Sequence, residues 1–297
     1  MQEQANTSQG SVIDHHGIAG RDDQAPHTCA VIMPSILRPS IERAMHSIYA
    51  QTLKGTVQLM VGLDGGRERL GLLKKLIDER PGHVAVTVFD PGYSTSRQRG
   101  GMHGAFDGGA LRTILSYAAN SSLLANLDDD NWWSPDHLKG LVKAIDGKDW
   151  AFSERWFVAP DGETVLCRDG WESVGPGKGI YLERFGGFSD TNTMLIDKTR
   201  VEHVLRLWGI PIAGEEHTDI GSDRRAPRTM PFSPKIRSTL SLYEAILFWL
   251  HDCFPLLRAD CSVNPPFQAG SAPETVMAAR RPNAPTERSG ACCRRGS

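Results

Sequence analysis

No run in this chain approaches the ~18 consecutive apolar residues of a membrane-spanning helix. Its first residues are polar and carry no apolar core, so no secretory leader is expected. Charge of one sign is not in excess either. The 33 basic and 35 acidic residues leave a formal net charge of -2, which speaks against a chain-wide basic field for nucleic acid or anionic lipid. The six cysteines form no CxxC pair and no regular spacing. That argues against a zinc framework or a disulfide scaffold and makes the reducing cytoplasm the expected location. Solenoid repeats are absent. So are the glycine loops that cradle phosphate: GPGKGI at 175–180 has no Ser or Thr after its Lys and follows no strand, and the glycines at 100–109 fail the GxGxxG spacing.

The chain does have strands alternating with helices. The run CAVIM at 29–33, ending at Pro34, suits a buried strand, and a helix with Pro39 in its first turn follows. Ile41, Ala44, Met45, Ile48 and Tyr49 give that helix one apolar face. The unit repeats as a strand at 57–63, a helix at 68–79 and a strand at 83–89, then a helix at 111–119 and a strand at 122–127. Ser134, Pro135 and Asp136 predict the next helix start, with Ser134 as N-cap. This alternation predicts an α/β fold with a mostly parallel central sheet flanked by helices. Beyond residue 148 the pattern changes to a hairpin around Pro160-Asp161-Gly162, a strand at 193–196, a helix at 199–208 and a long apolar helix at 241–257. Residues 1–27 and 264–297 are polar or Pro/Ala/Arg-rich without periodicity and read as disordered. They flank one domain at 28–260, divided into halves at 28–147 and 148–260.

The sharpest chemical signal is Asp128-Asp129-Asp130, placed directly after the apolar run LLANL. Three adjacent acids repel one another and need a compensating cation. Strand carboxyl ends are where open α/β sheets bind ligands. A hard divalent ion, Mg2+ or Mn2+, takes one or two carboxylates together with substrate phosphates. Acids one residue apart can both reach such an ion from a turning backbone; a solvated acidic turn is the plainer alternative. Trp132 and Trp133 read as cover for the sheet edge before they read as a sugar platform.

With these residues in view, the chain resembles the family-2 glycosyltransferases of the GT-A fold. The resemblance rests on VIMPSILRPSIERAMHSIYAQT, on VGLDGG around Asp64, on Arg97 in STSRQRGG and on LDDDNWWSPDHL, and it covers residues 30–144. Two departures stand out: Ser35-Ile36-Leu37 where an aromatic-Asn pair is common, and Leu63 where an acid often precedes Asp64.

The resemblance implies transfer of a sugar from a nucleotide-diphospho-sugar donor to an acceptor hydroxyl (on a glycan, a lipid or a small molecule), with inversion. It places Pro34, Asp64, Arg97 and Asp129 on the donor, and Asp128 and Asp130 on a Mn2+ or Mg2+ ion that stabilises the departing diphosphate. The transition state should be oxocarbenium-like. The general base belongs in GEEHTDIGSDRR, with Asp223 favoured over Asp219, Glu216 and Glu215. Phe248, Trp249, Leu250 and Phe254 in the helix at 241–257 offer a peripheral contact with the inner face of a membrane, although a docked or dimer-forming helix is more ordinary. The alternatives are an inactive sugar- or nucleotide-binding protein on the same scaffold and a metal-dependent nucleotidyltransferase.

Overall fold

The computed structural model describes residues 12–104, 108–159, 164–209 and 275–278. The central sheet has seven strands. In chain order the elements that build it are β1 (Val12–His16), β2 (Cys29–Ser35), helix α1 (Ile41–Tyr49), β3 (Val57–Leu63), α2 (Leu70–Asp78), β4 (Val84–Asp90), α3 (Gly109–Ala118) and β5 (Leu123–Asn126). The short β6 (Asn131–Trp133), α4 (His137–Ala144) and β7 (Trp150–Phe152) follow. The later part adds β8 (Trp156–Val158), β9 (Val165–Arg168), β10 (Gly175–Pro176), α5 (Leu182–Phe185), β11 (Gly187–Phe188), β12 (Met194–Asp197), α6 (Lys198–Leu205) and β13 (Thr275–Ala278).

The strand order is β1-β4-β3-β2-β5-β12-β7, with β4, β3, β2 and β5 parallel to one another. β12 enters antiparallel between β5 and β7, and β1 lies antiparallel on the far edge of β4. The fold is therefore the expected mixed α/β architecture with a mainly parallel central sheet.

Strands buried on both faces read as nearly continuous apolar runs, and β2 and β3 are buried at every residue, with Gln58 a buried polar residue whose Oε1 accepts the Asn120 N–H at 2.7 Å. Cys29, Val31 and Met33 turn to one face, where Ile41, Met45 and Ile48 of α1, Leu73 and Leu76 of α2, and Leu138 and Leu141 of α4 cover them. Ala30 and Ile32 turn to the other face, against Leu115 of α3 and Leu205 of α6. β2 continues through Pro34 to Ser35, because its pairing with β5 stops at Ile32 and no ladder bond on that side needs the missing proline N–H.

Two stretches expected to be disordered contain strands. Val12–His16 pairs along β4 from Val12↔Asp90 to His16↔Val86, and His15 Nδ1 lies 2.8 Å from the Thr87 hydroxyl. An edge strand is held by the backbone ladder, so it needs no apolar period; Ile13 is in fact largely exposed. In the tail, Thr275–Ala278 pairs with β6 on one side and β8 on the other, within a second sheet of order β6-β13-β8-β9. Its sequence, TVMA, is apolar enough for a strand between two others. Helix α4 also differs from expectation, since Asp136 rather than Ser134 is its N-cap residue and makes no side-chain cap bond. The Ser134 and Pro135 carbonyls instead receive Gln51 Nε2 and the Thr52 N–H, both at 2.8 Å.

Candidate functional site

The chain leaves β2 for β3 and β4 on one side, then returns to β5 on the other. Strand order therefore reverses between β2 and β5, the place where open α/β sheets bind ligands. The acidic turn follows β5 directly at this place.

Asp129 points inward. It is 2% exposed, and its Oδ2 accepts from the Ser35 hydroxyl at 2.6 Å and from the Ile36 N–H at 3.2 Å. The Ser35 oxygen in turn accepts the Leu37 N–H at 2.8 Å. These bonds close the loop after β2 so tightly that Leu37 is fully buried in the left-handed region, at φ 54°. Gly66 completes the clamp, since at φ +73° a Cβ there would lie 2.0 Å from the Ile36 carbonyl oxygen. The second glycine of LDGG is thus required by a close backbone approach.

Asp128 and Asp130 turn outward. Asp128 pairs with Arg112, a side chain only 5% exposed on α3 that also donates to Asn126 Oδ1 at 3.3 Å. The Asp128 N–H donates to Asn192 Oδ1 at 2.6 Å, and Asn192 Nδ2 returns to Asp128 Oδ2 at 3.1 Å. Burial opposes ionisation of Asp128, but Arg112 and Asn192 outweigh it and hold the carboxyl below the ordinary range. Asp130 is 47% exposed and pairs with Arg38. Partial burial and the charge of Asp128 push its carboxyl above the ordinary range even so. Two guanidiniums against three carboxylates leave the turn with one net negative charge.

Asn192 itself is placed by a buried ionic hub. Arg155 donates from Nε to Asp169 at 2.8 Å and from Nη1 to Asp190 at 2.6 Å, and it also pairs with Glu172. Asp190 Oδ1 then accepts Asn192 N–H at 2.8 Å and Asn192 Nδ2 at 2.9 Å. A continuous polar chain thus runs from Arg155 through Asp190 and Asn192 to Asp128.

The other expected site residues divide. Asp64 is buried at the end of β3, and its Oδ1 accepts the Thr95 N–H at 2.6 Å and the Thr95 and Ser94 hydroxyls at 2.9 and 3.1 Å. Its Oδ2 accepts from Arg99 at 3.1 Å. It ties residues 94–99 to the end of β3, and the guanidinium of Arg99 reaches it. Arg97 begins the short 3-10 turn Arg97–Arg99. Pro34 is buried and lies under Gly108, where a Cβ would approach its ring at 2.6 Å. Trp133 is buried, stacks on His137 and donates to the Asn192 carbonyl at 2.7 Å, while the guanidinium of Arg43 lies 4.3 Å from the Trp132 ring centroid. Both tryptophans are thus engaged within the chain. Asp223, Asp219, Glu216, Glu215 and the helix at 241–257 lie outside the described residues.

Among the described residues, no group of three or more His, Cys, Asp or Glu side chains is arranged to hold a metal, and no helix is long and apolar enough to cross a membrane. The donor set of the turn nonetheless fits a hard cation. Two outward carboxylates, one of them half-exposed and each paired with an arginine, supply oxygen ligands and leave further positions for phosphate oxygens.

No family model matches the chain, and no curated protein matches it. Among solved structures it is similar to S. aureus TarS 1-349, at 14% identity and a TM-score of 0.44, over 73% of this chain and 55% of that one. TarS 1-349 in complex with UDP-GlcNAc matches at 11% identity and 0.42, over 61% and 53%. The mannosyltransferase PcManGT from Pyrobaculum calidifontis, in complex with GDP-Man and Mn2+, matches at 12% identity and 0.40, over 63% and 50%. The chain spans about half the length of each of these structures.

Proposed function

We propose that this chain is a glycosyltransferase that takes a sugar from a nucleotide-diphospho-sugar donor bound at the carboxyl ends of β2 and β5. The observation that carries the reading is the placement of the acidic turn. Asp129 is locked inward onto the loop after β2, so Asp128 and Asp130 face outward at the point where strand order reverses. Carboxylate oxygens presented this way are the ligands a divalent cation takes, and the turn as a whole keeps one net negative charge.

Asp128 and Asp130 would hold Mn2+ or Mg2+. When bound, such an ion supplies Lewis-acid stabilisation of the diphosphate leaving group. The remaining work falls to the chain's own residues. Asn192 and Arg112 fix the Asp128 carboxylate in its ionised form, and Asp129 holds the β2 loop against the turn. Asp64 anchors residues 94–99, which places Arg97 and Arg99 near the end of β3, where guanidinium groups suit phosphate and ribose oxygens. In this reading the reaction inverts the anomeric centre, and Asp223 takes the proton of the acceptor hydroxyl.

The test is release of UDP or GDP from a panel of nucleotide sugars, with and without Mn2+, in the wild type and in Asp130→Ala. The reading expects one donor class to be turned over, and turnover to fall at least about a hundredfold without metal or in the variant. Donor binding without release would identify a non-catalytic binding protein, and binding of no donor at all would refute the reading.

A further inference from the structure

We propose that Arg38 is a counter-charge that holds the cation's place on the acidic turn and turns to the diphosphate when metal and donor arrive. The inference rests on the functional reading above and goes beyond it, because nothing in that reading assigns Arg38 a role.

Two arginines neutralise the turn, and they differ in kind. Arg112 is 5% exposed, rises from the middle of a helix and has its guanidinium between Asn126 and Asp128. It is a fixed charge. Arg38 is 44% exposed and projects from the β2–α1 loop, with Nη1 on Asp130 and 3.5 Å from Asp129 Oδ1. Its backbone cannot follow the side chain. Ile36 and Leu37 are bonded to Asp129 and Ser35, and the Arg38 carbonyl accepts the Ile41 N–H at the start of α1, at 3.0 Å. Only the torsions beyond its Cα are left to change.

The charges make the exchange favourable. With two arginines in place the turn carries one net negative charge. A dication added to that arrangement would reverse the sign and repel the guanidinium it meets on Asp130. An exposed ion pair is weak enough to yield. A diphosphate brings back the negative charge, and the planar fork of a guanidinium matches two of its oxygens. The same side chain thus screens the carboxylates before binding and grips the donor afterwards.

The experiment uses the full chain and Mn2+ alone, followed by loss of the free-ion paramagnetic resonance signal, then UDP and GDP at saturating Mn2+ by calorimetry. Arg38→Gln should bind Mn2+ about two- to fivefold more tightly than the wild type, because a weak competitor has been removed. It should also bind the nucleoside diphosphate at least about tenfold more weakly, because a charged hydrogen bond has been lost. Arg38→Lys keeps the charge without the fork, so it should leave Mn2+ affinity near that of the wild type and still weaken the nucleotide. Unchanged or weaker Mn2+ binding in Arg38→Gln overturns the inference, as does an undisturbed nucleotide affinity. Asp130→Asn separates the two levels. If it abolishes Mn2+ binding while the Arg38 variants behave as wild type, the cation site stands and the role of Arg38 falls. If Mn2+ binds neither the wild type nor Arg38→Gln, the metal reading and the inference fall together.

Discussion

Arg155→Met tests how the later part of the chain supports the acidic turn. The side chain is 7% exposed and is shared by Asp169, Glu172 and Asp190, which are 0%, 16% and 12% exposed. Methionine replaces much of the stem and none of the charge, so three partly or wholly buried carboxylates lose their common cation. Breaking a buried pair from one side costs about 3–5 kcal/mol, because the stranded charge stays desolvated. For a domain of this size each kcal/mol moves the melting temperature by about 2–4 °C, so the variant should melt about 6–20 °C lower at pH 7.

The loss should depend on pH, with a definite sign. In the wild type, burial opposes ionisation of Asp169, but Arg155 and the backbone amides of residues 171–173 outweigh it, and its carboxyl sits below the ordinary range. Its stabilising contribution therefore persists above the unfolded value and is lost only as pH falls through the depressed folded one. Glu172 is already raised by burial against the pull of Arg155. Without the guanidinium both carboxyls move upward and take up protons more readily in the folded state. Acidification from pH 7 to 5 should then restore stability to the variant and narrow its gap to the wild type. Urea unfolding at the two pH values measures this directly. A loss below about 1 kcal/mol, or a gap that widens on acidification, would refute the account of Arg155 as the cation of a desolvated cluster.

Asn192→Ala removes the two bonds Asn192 makes to Asp128 and leaves the Arg112 pair; Mn2+ affinity should fall about 10- to 100-fold, as for other partners that orient a ligand, in a metal titration. Gly66→Ala puts a Cβ 2.0 Å from the Ile36 carbonyl at φ +73°; it should destabilise by about 2 kcal/mol or more in urea and weaken nucleotide binding through the displaced β2 loop. His137 is buried against Trp133, and desolvation depresses its pKa to about 3. The unfolded chain therefore binds the extra proton between the ordinary value of 6.5 and about 3, and in that window the wild type should lose roughly 1.4 kcal/mol per pH unit on acidification. His137→Phe keeps a stacking ring and should flatten that limb of the stability curve.

Much of this molecule is legible in the order of its residues. The apolar run at 29–33 suits a buried strand, the runs at 57–63 and 83–89 read as the strands that follow it, and the acidic turn after β5 announces its own position at a strand end. What local reading cannot supply is the counter-charge. Arg38 meets Asp130 across 92 positions and Arg99 meets Asp64 across 35, and nothing in the neighbours of either arginine marks it. Arg112 is different. It lies beside Leu111 on the buried side of α3, and a cation on an apolar helix face calls for an acid partner. That signal was present in the sequence. The strand at 12–16 escapes because an edge strand is specified by the vacant ladder of its neighbour. The hub at Arg155 escapes because Asp169 and Glu172 come from one turn and Asp190 from a later one.

The entry of β12 between β5 and β7 bears on how this protein can be divided. The nucleotide-binding half expected at 28–147 lacks a strand of its own sheet until residues 194–197 arrive, and Asn192, just before them, is bonded to the Asp128 carboxylate. A fragment cut after α4 would therefore emerge with an open sheet margin and a loosely held Asp128. Chimeras of this sheet should carry residues 150–205 as one cassette, with the graft junctions placed outside it.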